Sequence, residues 1–156
     1  MASKSKLQKF AELAQNPIVF EKNPEMKGKW NTDFFKNNHP IILELACGKG
    51  EYTNGMAKLF PEKNFIGMDI KGNRIWSGAR ITELEGLQNV AFIRDQIDHV
   101  ADYFTEGEIA EIWITFSKSA RNTGGYLLLE FVKKFAARHF DISNLTYSMD
   151  DIKFEK

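Results

Sequence analysis

The stretch IILELACGKGEYTNG, residues 41–55, limits what this chain can fold into more than any other part of it. A run of branched apolar residues passes through one acid, Glu44, and two glycines follow, Gly48 and Gly50. A short, continuously apolar run suits a strand buried on both faces, as in a parallel sheet. Glycines just beyond it allow a tight turn into a helix and let the backbone approach a ligand closely. The stretch therefore predicts the strand, turn and helix that open a nucleotide-binding α/β domain.

The remaining segments fit that frame. Residues 3–15 carry Leu7, Phe10, Ala11 and Ala14 at helical spacing, stopped by Asn16 and Pro17. Residues 18–40 read as irregular. Strands are expected at 41–46, 64–69, 89–94 and 109–116, alternating with helices at 51–60, 73–85 and 98–104. A longer helix is expected at 126–139, and weak strands at 144–149 and 151–156. Short apolar strands alternating with helices give the fold class: α/β, with a mostly parallel sheet carrying helices on both faces. At 156 residues one domain is expected, 1–156, with an N-terminal helix and irregular arm over 1–40 and a Rossmann-like core over 41–156.

Composition narrows the class. Hydrophobic residues make up 43% of the chain, enough for a core, yet no apolar run approaches the ~20 residues of a membrane span. The N-terminus lacks an apolar signal core, and a single cysteine excludes an intrachain disulfide framework, so a cytoplasmic protein is expected. Lys and Arg number 21 and so do Asp and Glu, so any attraction to nucleic acid must come from local patches such as KSKLQK, MKGKW, KSAR and VKKFAAR. The three histidines, His39, His99 and His139, are scattered, and no metal site is expected.

The glycine loop does not match a dinucleotide fingerprint, because Thr53 occupies its third glycine position. Two acids sharpen the reading. Glu44 stands at the end of the first strand of the core, and Asp69 at the end of the second, nineteen residues after Gly50. An acid at that second position can accept both hydroxyls of an adenosine ribose. S-adenosylmethionine also carries an amine, which suits an acid such as Glu44, and a carboxylate, which suits amides near a helix N-terminus. Acid, turn glycines and acid form a methyltransferase-like layout; another nucleotide-binding Rossmann-like domain stays open. So do the plainer roles, with Glu44 capping a loop, Asp69 capping the next helix and Cys47 packing.

The segments ELACGKGEYT, PEKNFIGMDIKGNRIWSGA, GLQNVAFIR and EIWITFS, in that order, resemble the tRNA (guanine-N7-)-methyltransferase family, and MKGKW resembles its Bacteroidetes-type branch. The likeness runs over residues 1–116, and MDIKGNRIWSGA is its most specific piece. It implies a Rossmann-like class I S-adenosylmethionine-dependent methyltransferase that acts on N7 of a guanine in tRNA. It implies cofactor contacts at Glu44 and Asp69, a loop shaped by Gly48 and Gly50, and Gln96 where many members place an Asp near the adenine ring. Ala46 stands where most members have Gly, which is harmless if its φ is negative. The family's catalytic-site Asp is expected after Ser117; Lys118 stands there instead, so no catalytic residue is assigned. Lys118, Arg121 and Thr123 are the implied tRNA contacts. Beyond Phe140 a glycine turn, a fifth strand and a Lys-Thr-Asp motif are missing. Either the sequence omits family segments, or the protein is a trimmed, non-catalytic module that keeps cofactor and RNA binding; a methyltransferase for another substrate is the third reading. No metal or membrane partner is expected from the composition and the scattered histidines, and the oligomeric state stays open.

Overall fold

A computed structural model of the chain describes residues 3–114. Five parallel strands form one sheet: β1 Val19–Phe20, β2 Ile41–Leu45, β3 Asn64–Asp69, β4 Val90–Arg94 and β5 Glu111–Ile114, in the spatial order β1-β4-β3-β2-β5. Three α-helices accompany them: α1 Lys6–Gln15, α2 Glu51–Leu59 and α3 Gly72–Leu84. The chain steps outward from β2 to β3 and β4, then returns to place β5 on the other side of β2. That reversal marks the crevice where open α/β sheets bind ligands, outside the carboxyl ends of the strands.

The period-2 alternation of the strands divides the core. Ile41, Leu43 and Leu45 of β2, with Ile66, Met68, Ala91 and Ile93, face one layer. Ile42, Phe65, Val90 and Phe92 face the other, against Leu13 of α1, Ala57 of α2, and Ile75 and Ala79 of α3. The first layer is closed by Trp30, Phe35, Val100, Tyr103 and Phe104. Among the described residues the α-helices thus share one face. The other face is covered by a wide π-helical turn, Trp30–Phe35, and a 3-10 segment, Ile97–Asp102.

Local chemistry explains where the elements depart from expectation. The first helix begins at Lys6, because Ser5 caps it: its side chain accepts from Gln8 N–H while the Gln8 side chain accepts from Ser5 N–H. The arm over 18–40, expected to be irregular, contributes β1, which pairs Val19 with Phe92 and Phe20 with Ile93. Two residues are too few for periodicity to reveal. Trp30 anchors the arm. It is fully buried, donates from Nε1 to the Tyr103 carbonyl at 2.8 Å, meets Phe20 edge-on and stacks on Phe104. The helix expected at 98–104 is the shorter 3-10 segment, and β5 starts at Glu111 rather than at 109. The elements expected at 126–139, 144–149 and 151–156 lie outside the described residues. No helix among the described residues is long and apolar enough to cross a membrane.

Candidate functional site

Because all five strands run the same way, their carboxyl ends share one edge of the sheet, and two of the acids read from the sequence meet there. Glu44 lies in β2 on the helical face and is buried, with 4% exposure. Thr53, one turn into α2, donates to its Oε2 at 2.5 Å. The threonine that breaks the dinucleotide fingerprint is therefore the residue that holds the acid. Asp69 ends β3. Its Oδ2 accepts from Gly48 N–H at 3.0 Å and its Oδ1 from Lys71 N–H at 2.8 Å. One carboxylate thus ties the loop after β2 to the turn that starts α3. Each oxygen keeps acceptor capacity for a further donor.

The loop 46–50 passes from β2 into α2 through three left-handed residues: Ala46 at φ 55°, Gly48 at 60° and Gly50 at 69°. Cys47 N–H prolongs the ladder by donating to Met68 O at 3.1 Å, and Gly50 N–H closes the turn on Cys47 O at 2.9 Å. Gly50 also lacks room for a side chain. A Cβ there would sit 2.7 Å from Cε1 of Phe92 and 2.8 Å from its Cζ. At Gly48 a Cβ would meet nothing within 4 Å among the described residues, which leave the space above it open to a ligand.

Ala46 corrects the sequence reading, which required a negative φ there. A left-handed alanine costs roughly 1–2 kcal/mol, part of which a glycine gives back through its more flexible unfolded chain. Ala46→Gly is expected to stabilise the protein by about 0.5–1 kcal/mol, read as a higher urea midpoint at unchanged m-value. A lower midpoint would mean that the strain is relieved elsewhere.

Cys47 lies in the loop as a packing residue, 5% exposed. Burial, reinforced by the charges of Glu44 and Asp69, pushes its thiol well above the usual range, so it is held neutral.

Gln96 follows β4 at the same edge, exposed, in extended conformation as the cap of the 3-10 segment. The neighbouring acid, Asp95, was not foreseen. Its Oδ1 accepts from Gln96 N–H and bonds His99 Nδ1, both at 2.7 Å, and its Oδ2 accepts from Tyr103 at 2.7 Å. Burial works against the Asp95 charge, but the hydrogen bonds from Tyr103, His99 and Gln96 outweigh it and hold the carboxyl below its ordinary value. The bond to Asp95 raises His99, while burial and then Asp95 raise Tyr103. The Tyr103 hydroxyl also accepts from Lys22 N–H at 2.9 Å, which pins the arm beside the Gln96 turn. The spacing Asp95, His99, Tyr103 was the available signal, since residues four apart face one another on a helical turn.

Glu44, Gly48, Gly50, Asp69 and Gln96 thus stand along one edge of the sheet, with Glu44 and Asp69 buried and Gln96 exposed. Lys118, Arg121 and Thr123, like the Ser117–Lys118 junction, lie outside the described residues. Among the described residues no group of three or more His, Cys, Asp or Glu is disposed to hold a metal ion.

Comparison with known proteins adds independent findings. A family model described as "Putative methyltransferase" matches residues 38–118, about half the chain. A tRNA (guanine-N(7)-)-methyltransferase of Bacteroides fragilis is 47% identical over 145 residues, covering 85% of this chain and 58% of that protein. One from Porphyromonas gingivalis is 57% identical over 107 residues, covering 69% of this chain and 42% of that protein. Among solved structures, an RNA methyltransferase from Salinibacter ruber in complex with S-adenosyl-L-homocysteine aligns with a TM-score of 0.54 at 9% identity, over 99% of this chain and 84% of that one. At that identity the likeness is one of fold. The chain spans 58% of the length of the Bacteroides fragilis relative.

Proposed function

The chain belongs to the tRNA (guanine-N7-)-methyltransferase family, and on that premise we propose that it transfers a methyl group from S-adenosylmethionine to N7 of a guanine in tRNA. One observation carries the reading: Asp69, at the carboxyl end of β3, is tied through Gly48 N–H to the glycine loop after β2. That presents an acid for ribose hydroxyls beside a loop above which the described residues leave open space. The residues present fit the cofactor. Asp69 would take the ribose, Glu44 the amine, Gly48 and Gly50 would set the loop, and Gln96 would lie at the adenine. When bound, the cofactor supplies an electrophilic methyl group on a sulfonium centre.

The work left to the chain is chiefly placement. Guanine N7 carries a lone pair and no proton, so its attack needs no general base. Alignment of the reactants can then supply most of the acceleration. Thr53 fixes the orientation of Glu44, and Asp69 fixes the loop against α3. Preorganised groups of this kind lose nothing to reorganisation when the reactants align. The partner in this reading is tRNA, which the names of the relatives support; the setting it implies is the cytoplasm, where tRNA is at hand.

The reading is tested with tritiated S-adenosylmethionine and unmodified tRNA, followed by aniline cleavage, which cuts at 7-methylguanine. Label in tRNA with cleavage at a defined guanine is the expected result. Label at another position would assign a different substrate atom. Cofactor binding without any transfer would select the non-catalytic alternative, for which Lys118 in place of the family's acid is the motivating feature.

A further inference from the structure

Outside the cofactor edge, positive side chains of the described residues gather where α1 lies against the start of α3. Phe10 of α1 is the hub. Lys6 Nζ stands 5.7 Å from its ring centroid and the Arg94 guanidinium 4.3 Å. Gly72, the first residue of α3, faces both Phe10 and Arg94 so closely that a Cβ there would meet each of them. Lys9 donates from Nζ to the Asn73 side chain at 3.0 Å. Lys71 and Arg74 flank Gly72 and Asn73 in the chain, and both are exposed. Lys6, Lys9, Lys71, Arg74 and Arg94 therefore form one rim. Among the described residues the acid ion-paired to it is Glu21, which bonds Arg94 at 3.1 Å, and Asp69 lies beside it, accepting from Lys71 N–H. Among the described residues Lys6, Lys9, Lys71 and Arg74 form no ion pair.

This grouping is a local excess in a chain whose charges cancel overall. Gathering like charges on adjoining elements costs repulsion, which a bound polyanion relieves. Its location adds to that. Lys71 follows Asp69 by two residues and Arg94 ends β4, so the rim adjoins the edge where the cofactor is assigned. The positive end of the α3 macrodipole lies beneath it.

We infer that this rim seats the phosphodiester backbone of the RNA substrate. The inference rests on the methyltransferase reading and extends it to a surface on α1 and α3, far in sequence from Lys118 and Arg121. RNA is favoured over an acidic membrane or an acidic protein, because the substrate's backbone must cross this edge of the sheet to bring a base to the cofactor.

The test compares the full chain with the triple variant Lys6→Glu, Lys9→Glu, Arg74→Glu, which leaves Asp69, its bonds to Gly48 and Lys71 N–H, and the Arg94–Glu21 pair intact. Binding of fluorescein-labelled unmodified tRNA is followed by anisotropy between about 50 and 200 mM KCl, the range over which phosphate contacts show their salt dependence. The variant is expected to bind at least about tenfold more weakly, with a log–log salt slope shallower by about 2, as three lost phosphate contacts dictate. Its calorimetric affinity for S-adenosylhomocysteine should match the wild type, which excludes misfolding as the cause. A milder triple glutamine variant should shift in the same direction by less. Equal tRNA affinity and slope in wild type and variants would overturn the rim and leave the methyltransferase reading standing. A wild type that neither binds nor methylates tRNA, or that binds only anionic vesicles through these residues, would overturn the function reading, and the rim with it.

Discussion

Gly50→Ala is expected to lower the stability of this protein by about 2–4 kcal/mol, while Gly48→Ala costs about 1 kcal/mol. Both residues have left-handed φ, 69° and 60°, so both variants bear the conformational penalty of a side chain there. They differ in what the new methyl meets. At Gly48 it meets none of the described residues, whereas at Gly50 it runs into the Phe92 ring. Phe92 cannot yield easily, being fully buried in the layer between the sheet and the helices, and overpacking such a core costs about 1–3 kcal/mol. Urea unfolding of the two variants side by side isolates the steric part. Equal losses would mean that Phe92 moves aside freely, and that the second glycine of the loop is needed for its backbone angle alone.

Asp69→Ala is expected to weaken binding of S-adenosylhomocysteine by about 10- to 100-fold, or about 1–3 kcal/mol. The substitution removes the charged acceptor proposed for the ribose hydroxyls. It also releases Gly48 N–H and Lys71 N–H, so the loop loses its tether to the start of α3. Asp69→Asn separates the two effects. The amide oxygen can keep one of the tethers, so affinity should recover only in part. Calorimetry decides the matter. Undiminished affinity in Asp69→Ala, or binding of NAD by the wild type, would remove the cofactor assignment.

The strand ends were legible because buried strands announce themselves as apolar runs, and an acid closing such a run is conspicuous. Glu44 and Asp69 were found that way, and the structure puts both at the carboxyl edge of the sheet. What could not be read depends on the turn between them. Thr53 looks like a defect in a glycine pattern until the chain folds back and brings its hydroxyl to Glu44. Ala46 looks like the last residue of a strand, although its backbone has already turned left-handed. Strand β1 escaped notice because two residues carry no period, and its partner lies in β4. The Asp95, His99 and Tyr103 cluster was missed for a different reason: its members are ordinary surface residue types until burial and Lys22 N–H draw them together. Lys118, Arg121 and Thr123 fall outside the described residues and are judged by sequence alone.

The pairing of the arm with β4 also governs the order in which the chain can be built. Glu21 and Arg94, which close that pairing, are 73 residues apart, as are Trp30 and the Tyr103 carbonyl that receives its indole. Translation at ~5–20 residues per second leaves about 4–15 s between the emergence of the arm and that of its partner. Throughout that interval Phe20, Trp30 and Phe34 have no sheet to cover, and the nascent chain carries an aromatic cluster in water. Closing so long a loop is slow compared with forming the local helices. The arm therefore waits for β4 and the Tyr103 segment before it is secured, and its aromatic cluster is exposed to chaperones and to aggregation during that interval.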